Sequence, residues 1–233
     1  MGAILGKHTK SHGPSKLERR MVNAMKERGT HGKNSVRTFN SIIMMFPKID
    51  KTFEAVRTTF EKFDKNGNGT LELEELKDCF KELHITLTDE EIKDLFSESD
   101  MDASSGIDFK EFIVLLSLVH LLSSSGDKSN PFSARHGVKL GLTELEESFD
   151  KIADTFVFFD KDCDGYVSKK EIVEAIGQST PVARNASRIG LKRFEEMDWD
   201  KNGLITFKEF LFVFTNWVGV EDDEESDDSH AQW

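Results

Sequence analysis

Four stretches of this chain repeat one twelve-residue pattern, and nothing else in its 233 residues constrains the fold so tightly. They run 64–75, 100–111, 160–171 and 198–209. The third is the plainest. Asp160, Asp162 and Asp164 sit at alternate places, Gly165 follows, Val167 is an apolar eighth residue, and Glu171 closes the run. A hard divalent cation such as Ca²⁺ takes about 6–8 oxygen ligands, so a short loop holds one only if its carboxylates converge. Side chains at places one, three and five of a tight turn do converge. Glycine at place six supplies the positive φ that the sharp bend needs. The carbonyl of Tyr166 and both carboxylate oxygens of Glu171 complete the expected set, with Ser168 giving a hydroxyl or a bridging water.

The other three runs predict ligands in the same places. In the first they are Asp64, Asn66, Asn68, Thr70 and Glu75, with Gly69 sixth and Leu71 eighth. In the fourth they are Asp198, Asp200, Asn202, Leu204 and Glu209, with Gly203 sixth and Ile205 eighth. In the second they are Asp100, Asp102, Ser104, Gly106 and Glu111, with Ile107 eighth, but the sixth place is Ser105. A non-glycine residue held left-handed costs about 1–2 kcal/mol. Fully expressed in binding, that is roughly five- to thirty-fold in affinity. The second site is therefore expected to be the weakest of four, unless the bend shifts onto Gly106.

Each run is flanked by apolar residues at helical spacing. Phe53, Val56, Phe60 and Phe63 lead into the first, and Leu76, Cys79, Phe80 and Leu83 leave it. Thr88 with Glu91, and Thr143 with Glu146, are capping-box signatures for entering helices. One helix–loop–helix leaves an apolar face uncovered, so the units should pair, with Leu71 facing Ile107 and Val167 facing Ile205. Loop starts are 36 and 38 residues apart within the pairs but 60 apart between them. The excess contains Ser123–Pro131, which has linker composition. The expected fold class is all-α: an extension over 1–49, a first pair over 50–122, a long, loose linker over 123–142, a second pair over 143–218 and an acidic tail over 219–233.

Charge is uneven along the chain. Of 31 Lys and Arg, ten fall in residues 1–50, against three of the 43 Asp and Glu. The acidic body makes nucleic acid an unexpected partner. The basic arm opens Met1-Gly2, where N-myristoylation occurs, but Gly6 stands where Ser or Thr is favoured. Ser15 can cap a short helix reaching about Met25, broken over Gly29 to Lys33, with Leu17, Met21 and Met25 on one face among basic residues. Such a helix suits a membrane surface or a partner's groove, so residues 1–28 are a candidate membrane contact. The stretch 35–46, with its apolar run 41–46, either packs into the protein's own lobe or only extends the first helix of the body. Two cysteines in different motifs fit a reducing compartment, and the expected location is cytoplasmic, membrane-associated if Gly2 is acylated.

The four loops over 64–209 resemble those of the calmodulin and troponin C superfamily of EF-hand proteins. The basic extension, long tether and acidic tail look most like plant calmodulin-like proteins. The resemblance implies an intracellular calcium sensor with up to four Ca²⁺ ions, Mg²⁺ as a competitor, and target protein helices as partners. Of seven methionines only Met101 and Met197 lie beyond residue 50, against nineteen Phe in the chain. A phenylalanine-lined groove should be more selective than a methionine-lined one, or be already occupied. The alternatives are a calcium buffer, or a regulatory subunit like calcineurin B docked on an enzyme. No nucleophile–base constellation, phosphate loop or CxxC pair supports catalysis, so no enzyme is expected.

Overall fold

The computed structural model describes residues 14–31, 36, 41–42, 44–124, 143–177 and 183–218. The described helices are α1 (Lys16–His31), α2 (Phe46–Phe63), α3 (Leu73–Glu82), α4 (Asp89–Ser99), α5 (Phe109–Ser124), α6 (Thr143–Phe159), α7 (Lys169–Gly177), α8 (Ala183–Met197) and α9 (Phe207–Val218). Two short strands, β1 (Val167–Ser168) and β2 (Leu204–Ile205), complete the described elements. No described helix is long and apolar enough to cross a membrane.

Each pair is built as the repeats predict. Leu71 and Ile107 form an antiparallel bridge, exchanging N–H···O bonds of 2.8 and 3.0 Å. In the second pair Val167 faces Ile205 across the antiparallel β1–β2 ladder. All four eighth-place side chains are fully buried. Thr88 caps α4, its hydroxyl accepting from Glu91 N and the Glu91 carboxylate accepting in return from Thr88 N. Pro47 sits in the first turn of α2, after Met45 at the N-cap position. Missing N–H groups cost nothing in a first turn, so proline is tolerated there.

The two pairs are not loosely tethered lobes. Helices α2 and α5 of the first pair pack on α6 and α9 of the second, and both contribute to one continuous hydrophobic core. Phe53 meets Phe149, with ring centroids 6.3 Å apart. Lys208 on α9 pairs with Glu98 on α4 at 3.3 Å. Helix α5 shows why. Ile113, Val114, Leu115, Leu116, Leu118, Val119, Leu121 and Leu122 are apolar all round it, and all are buried. A helix apolar on every face needs cover on every face, and its own pair cannot provide that. Of the linker expected over 123–142, Ser123 and Ser124 belong instead to the last turn of α5, where the Ser123 hydroxyl donates to the Val119 carbonyl at 2.7 Å. Residues 125–142 lie outside the described residues, as do residues 1–13 and the tail over 219–233.

Helix α1 departs from expectation in length and in use. It runs past Met25 and through Gly29 to His31. Ser15 Oγ accepts from Glu18 N at 3.0 Å, as a cap should. Leu17, Met21, Val22, Ala24 and Met25 are all buried, and the helix touches α5, α6, α9 and α4. The apolar face offered to a membrane or a partner is therefore already inside the protein, which corrects the reading of residues 16–28 as a membrane contact. Gly29 is no breaker, because a Cβ there would lie 2.9 Å from the Cys163 sulfur. In the run 41–46, Ile42 is buried and Phe46 packs edge-on to Phe214 at 5.4 Å, with a turn at Met44–Met45 separating Ile42 from α2.

Candidate metal centres

The loops share one wiring scheme. The first-place aspartate accepts from the backbone N–H of place six in every loop, and from that of place five in the first three. Asp160 takes Asp164 N at 3.1 Å and Gly165 N at 2.9 Å. Asp64 takes Asn68 N at 3.1 Å and Gly69 N at 2.9 Å. Asp100 takes Ser104 N at 2.9 Å and Ser105 N at 3.1 Å. Asp198 reaches Gly203 N at 3.3 Å. These bonds bend the chain around the aspartate and leave places three and five facing it.

The twelfth-place glutamate spans each loop, accepting from backbone N–H groups at places two and nine. The donors are Lys65 and Glu72 for Glu75, Met101 and Asp108 for Glu111, Lys161 and Ser168 for Glu171, and Trp199 and Thr206 for Glu209. The glutamates are buried while the outer loop positions are exposed. Carboxylate oxygens lie within 4.8 Å of one another in three groups: Asp100, Asp102 and Glu111; Asp160, Asp162 and Asp164; Asp198, Asp200 and Glu209. In the first loop Asn66 and Asn68 take the places of two carboxylates.

Gathering carboxylates in a half-buried ring raises their proton affinity. Burial pushes Glu111 up to about 7 and Asp160 up to about 6, with neighbouring carboxylates adding to both. Burial also lifts Glu209. It acts on Glu171 too, but hydrogen bonds from Ser168, Lys161 and Asp162 outweigh it and hold that group low. A divalent cation relieves this crowding, and all-oxygen donor sets of this kind suit Ca²⁺ or Mg²⁺.

The expected relief at Gly106 is absent. Ser105 itself is left-handed, with φ of 70°, beside 78°, 81° and 87° for Gly69, Gly165 and Gly203. Gly106 serves a different need: a Cβ there would lie 2.6 Å from the Thr70 hydroxyl across the pair. The fourth place is left-handed as well, a feature unremarked in the pattern, and Gly67, Ala103, Cys163 and Lys201 occupy it. Among the four loops only the second places non-glycine residues at both left-handed positions. Its Ser104 hydroxyl also donates to the Gly106 carbonyl at 3.1 Å, so two expected ligands are bonded to each other.

The EF-hand domain pair family matches residues 53–117 and 149–215. The chain belongs to the EF-hand family. Two Arabidopsis thaliana proteins described as probable calcium-binding proteins, CML21 and CML22, place it more finely. The first is 45% identical over 210 residues, covering 90% of this chain and 87% of the relative. The second is 42% identical over 209 residues, covering 89% of each. Troponin C isoform 1 of Balanus nubilus is 24% identical over 161 residues. This EF-hand protein is thus of the plant calmodulin-like kind, and its four loops are the EF-hand loops of two domain pairs.

Proposed function

We propose that this EF-hand protein is a calcium sensor without catalytic activity. The observation that carries the reading is the shared wiring of the four loops, each with a first-place aspartate and a twelfth-place glutamate held by backbone N–H groups. The residues expected to hold Ca²⁺ are Asp64, Asn66, Asn68, Thr70 and Glu75; Asp100, Asp102, Ser104, Gly106 and Glu111; Asp160, Asp162, Asp164, Tyr166 and Glu171; and Asp198, Asp200, Asn202, Leu204 and Glu209. Thr70, Gly106, Tyr166 and Leu204 would act through their carbonyls. Mg²⁺ competes for the same oxygens but demands tighter octahedral geometry. Target protein helices are the expected partners, and the two free cysteines suit a cytosolic setting.

Trp199 lies in the fourth loop, half exposed, edge-on to Phe212 at 5.8 Å. Its emission should change on titration with micromolar Ca²⁺. A flat response, together with no heat of binding, would remove the sensor reading.

A buffer is the second reading, favoured by one observation. The phenylalanines of both pairs are largely buried, and the large apolar side chains exposed among the described residues are Met44, Trp199 and Leu204. Buffer EF-hands barely open on binding, whereas sensor EF-hands expose an apolar surface. An apolar dye that brightens with the calcium-loaded protein supports the sensor; a dye that stays dark supports the buffer.

A further inference from the structure

Helix α1 lies where the two pairs meet. Its anchors Leu17, Met21 and Met25 are four residues apart and buried to 5% exposure or less. Three residues beyond the last anchor, Arg28 clasps α6. Its Nε donates to Asp154 Oδ1 at 2.9 Å, Nη1 to Asp150 Oδ1 at 3.0 Å, and Nη2 to the Asp150 carbonyl at 2.9 Å. Asp150 Oδ1 is also 3.3 Å from His120 Nε2 on α5. One carboxylate thus ties the arm, the first pair and the second pair together.

The same helix covers the third loop. Gly165 is buried, whereas its counterparts Gly69, Ser105 and Gly203 are exposed. A Cβ on Gly165 would meet the Val22 carbonyl at 2.7 Å, and Gly29 closes over Cys163 from the other end of the contact. Arg28 supplies the charged clasp at one end, Leu17, Met21 and Met25 sink into the apolar core, and at the other end Glu18 lines a pocket with Asp100, Asp200 and Lys208.

We propose that α1 is an internal ligand of the groove between the two pairs, and that the protein's target is a helix of the same pattern that displaces it. The pattern is three apolar anchors at i, i+4 and i+8 with an arginine at i+11, as in Leu17, Met21, Met25 and Arg28. This rests on the sensor reading for the existence of a helical target. The groove accepts that helix because its apolar floor and the Asp150–Asp154 pair already accept α1. Displacement uncovers the third loop, exposing Cys163 and Gly165.

The test uses the full chain, saturated with Ca²⁺, and a labelled peptide copying residues 14–31. Arg28→Ala weakens the internal copy but leaves the peptide's own arginine intact. The variant should bind the peptide about tenfold more tightly than the native chain, the effect of losing the partly exposed Arg28 clasp on Asp150 and Asp154. Adding Asp150→Asn and Asp154→Asn to Arg28→Ala should abolish that gain, since the groove side of the clasp is then lost to the peptide too. As a second measurement that needs no variant, excess peptide should speed alkylation of Cys163 in the native chain several-fold, read by mass spectrometry. Equal peptide binding by the native chain and Arg28→Ala, or Cys163 alkylation unmoved by peptide, would overturn the proposal. The Trp199 calcium titration on the same samples judges the sensor reading separately.

Discussion

The second and third loops start from nearly the same twelve-residue pattern and end in different surroundings. The third holds its bend with Gly165 and is roofed by α1. The second holds the same bend with Ser105, shares with the third a left-handed non-glycine fourth place (Ala103 beside Cys163), and leaves places three to six exposed. Its Glu111 is lifted to about 7 by burial, whereas hydrogen bonds keep Glu171 low. The lesson is that equal ligand spacing does not make equal sites. Backbone strain and the protonation of the closing glutamate separate them, and both act against the second.

Removing the closing glutamate is the strongest way to break the comparison. Glu171→Gln should lower calcium affinity at the third site by roughly a hundredfold or more, given that even outer-shell changes cost about 10–100-fold. Glu111→Gln should cost less in calcium affinity, because the second site binds less tightly at the start. Calorimetry on both variants compares them directly.

Ser105→Gly is expected to raise second-site affinity by about five- to thirty-fold, by releasing ~1–2 kcal/mol of left-handed strain. If calorimetry shows no gain in affinity, strain at Ser105 is not what weakens the site.

Acidity should separate the loops further. A Glu111 carboxyl with a pKa near 7 carries a proton below that pH, and Ca²⁺ must displace it. Affinity at the second site therefore falls as pH falls, by roughly fourfold from pH 8 to 6.5. The third site should hold over the same window, because Asp160 titrates near 6 and Glu171 lower still. Titrations at the two pH values read this directly. The smallest effect should come from Lys208→Ala, which removes one partly buried pair with Glu98 between the two EF-hand pairs. A loss of about 0.5–1 kcal/mol of stability is expected in denaturant unfolding.

The loops and their pairing were legible because six places in twelve are fixed by ligand chemistry, and the eighth place by the bridge between loops. Leu71 with Ile107, and Val167 with Ile205, follow from that register alone. The union of the two pairs was not read, though one signal was present: the run Phe112–Leu122 is apolar on all sides, which a helix covered only by its own pair could not sustain. The course of α1 was hidden for a different reason. Gly29 looks like a breaker until Cys163, 134 places further on, is seen to need its space, and Arg28 finds Asp150 122 residues away. Local pattern carries no information about contacts of that span. The left-handed fourth place was missed because four different residue types occupy it across the loops.

The most direct test is a residue-resolved calcium titration of the full chain by NMR, following the backbone amides at the sixth place of each loop. Gly165 and Gly203 should reach saturation first, with Ser105 trailing at higher calcium. Ser105 saturating together with Gly165, or ahead of it, would contradict the account.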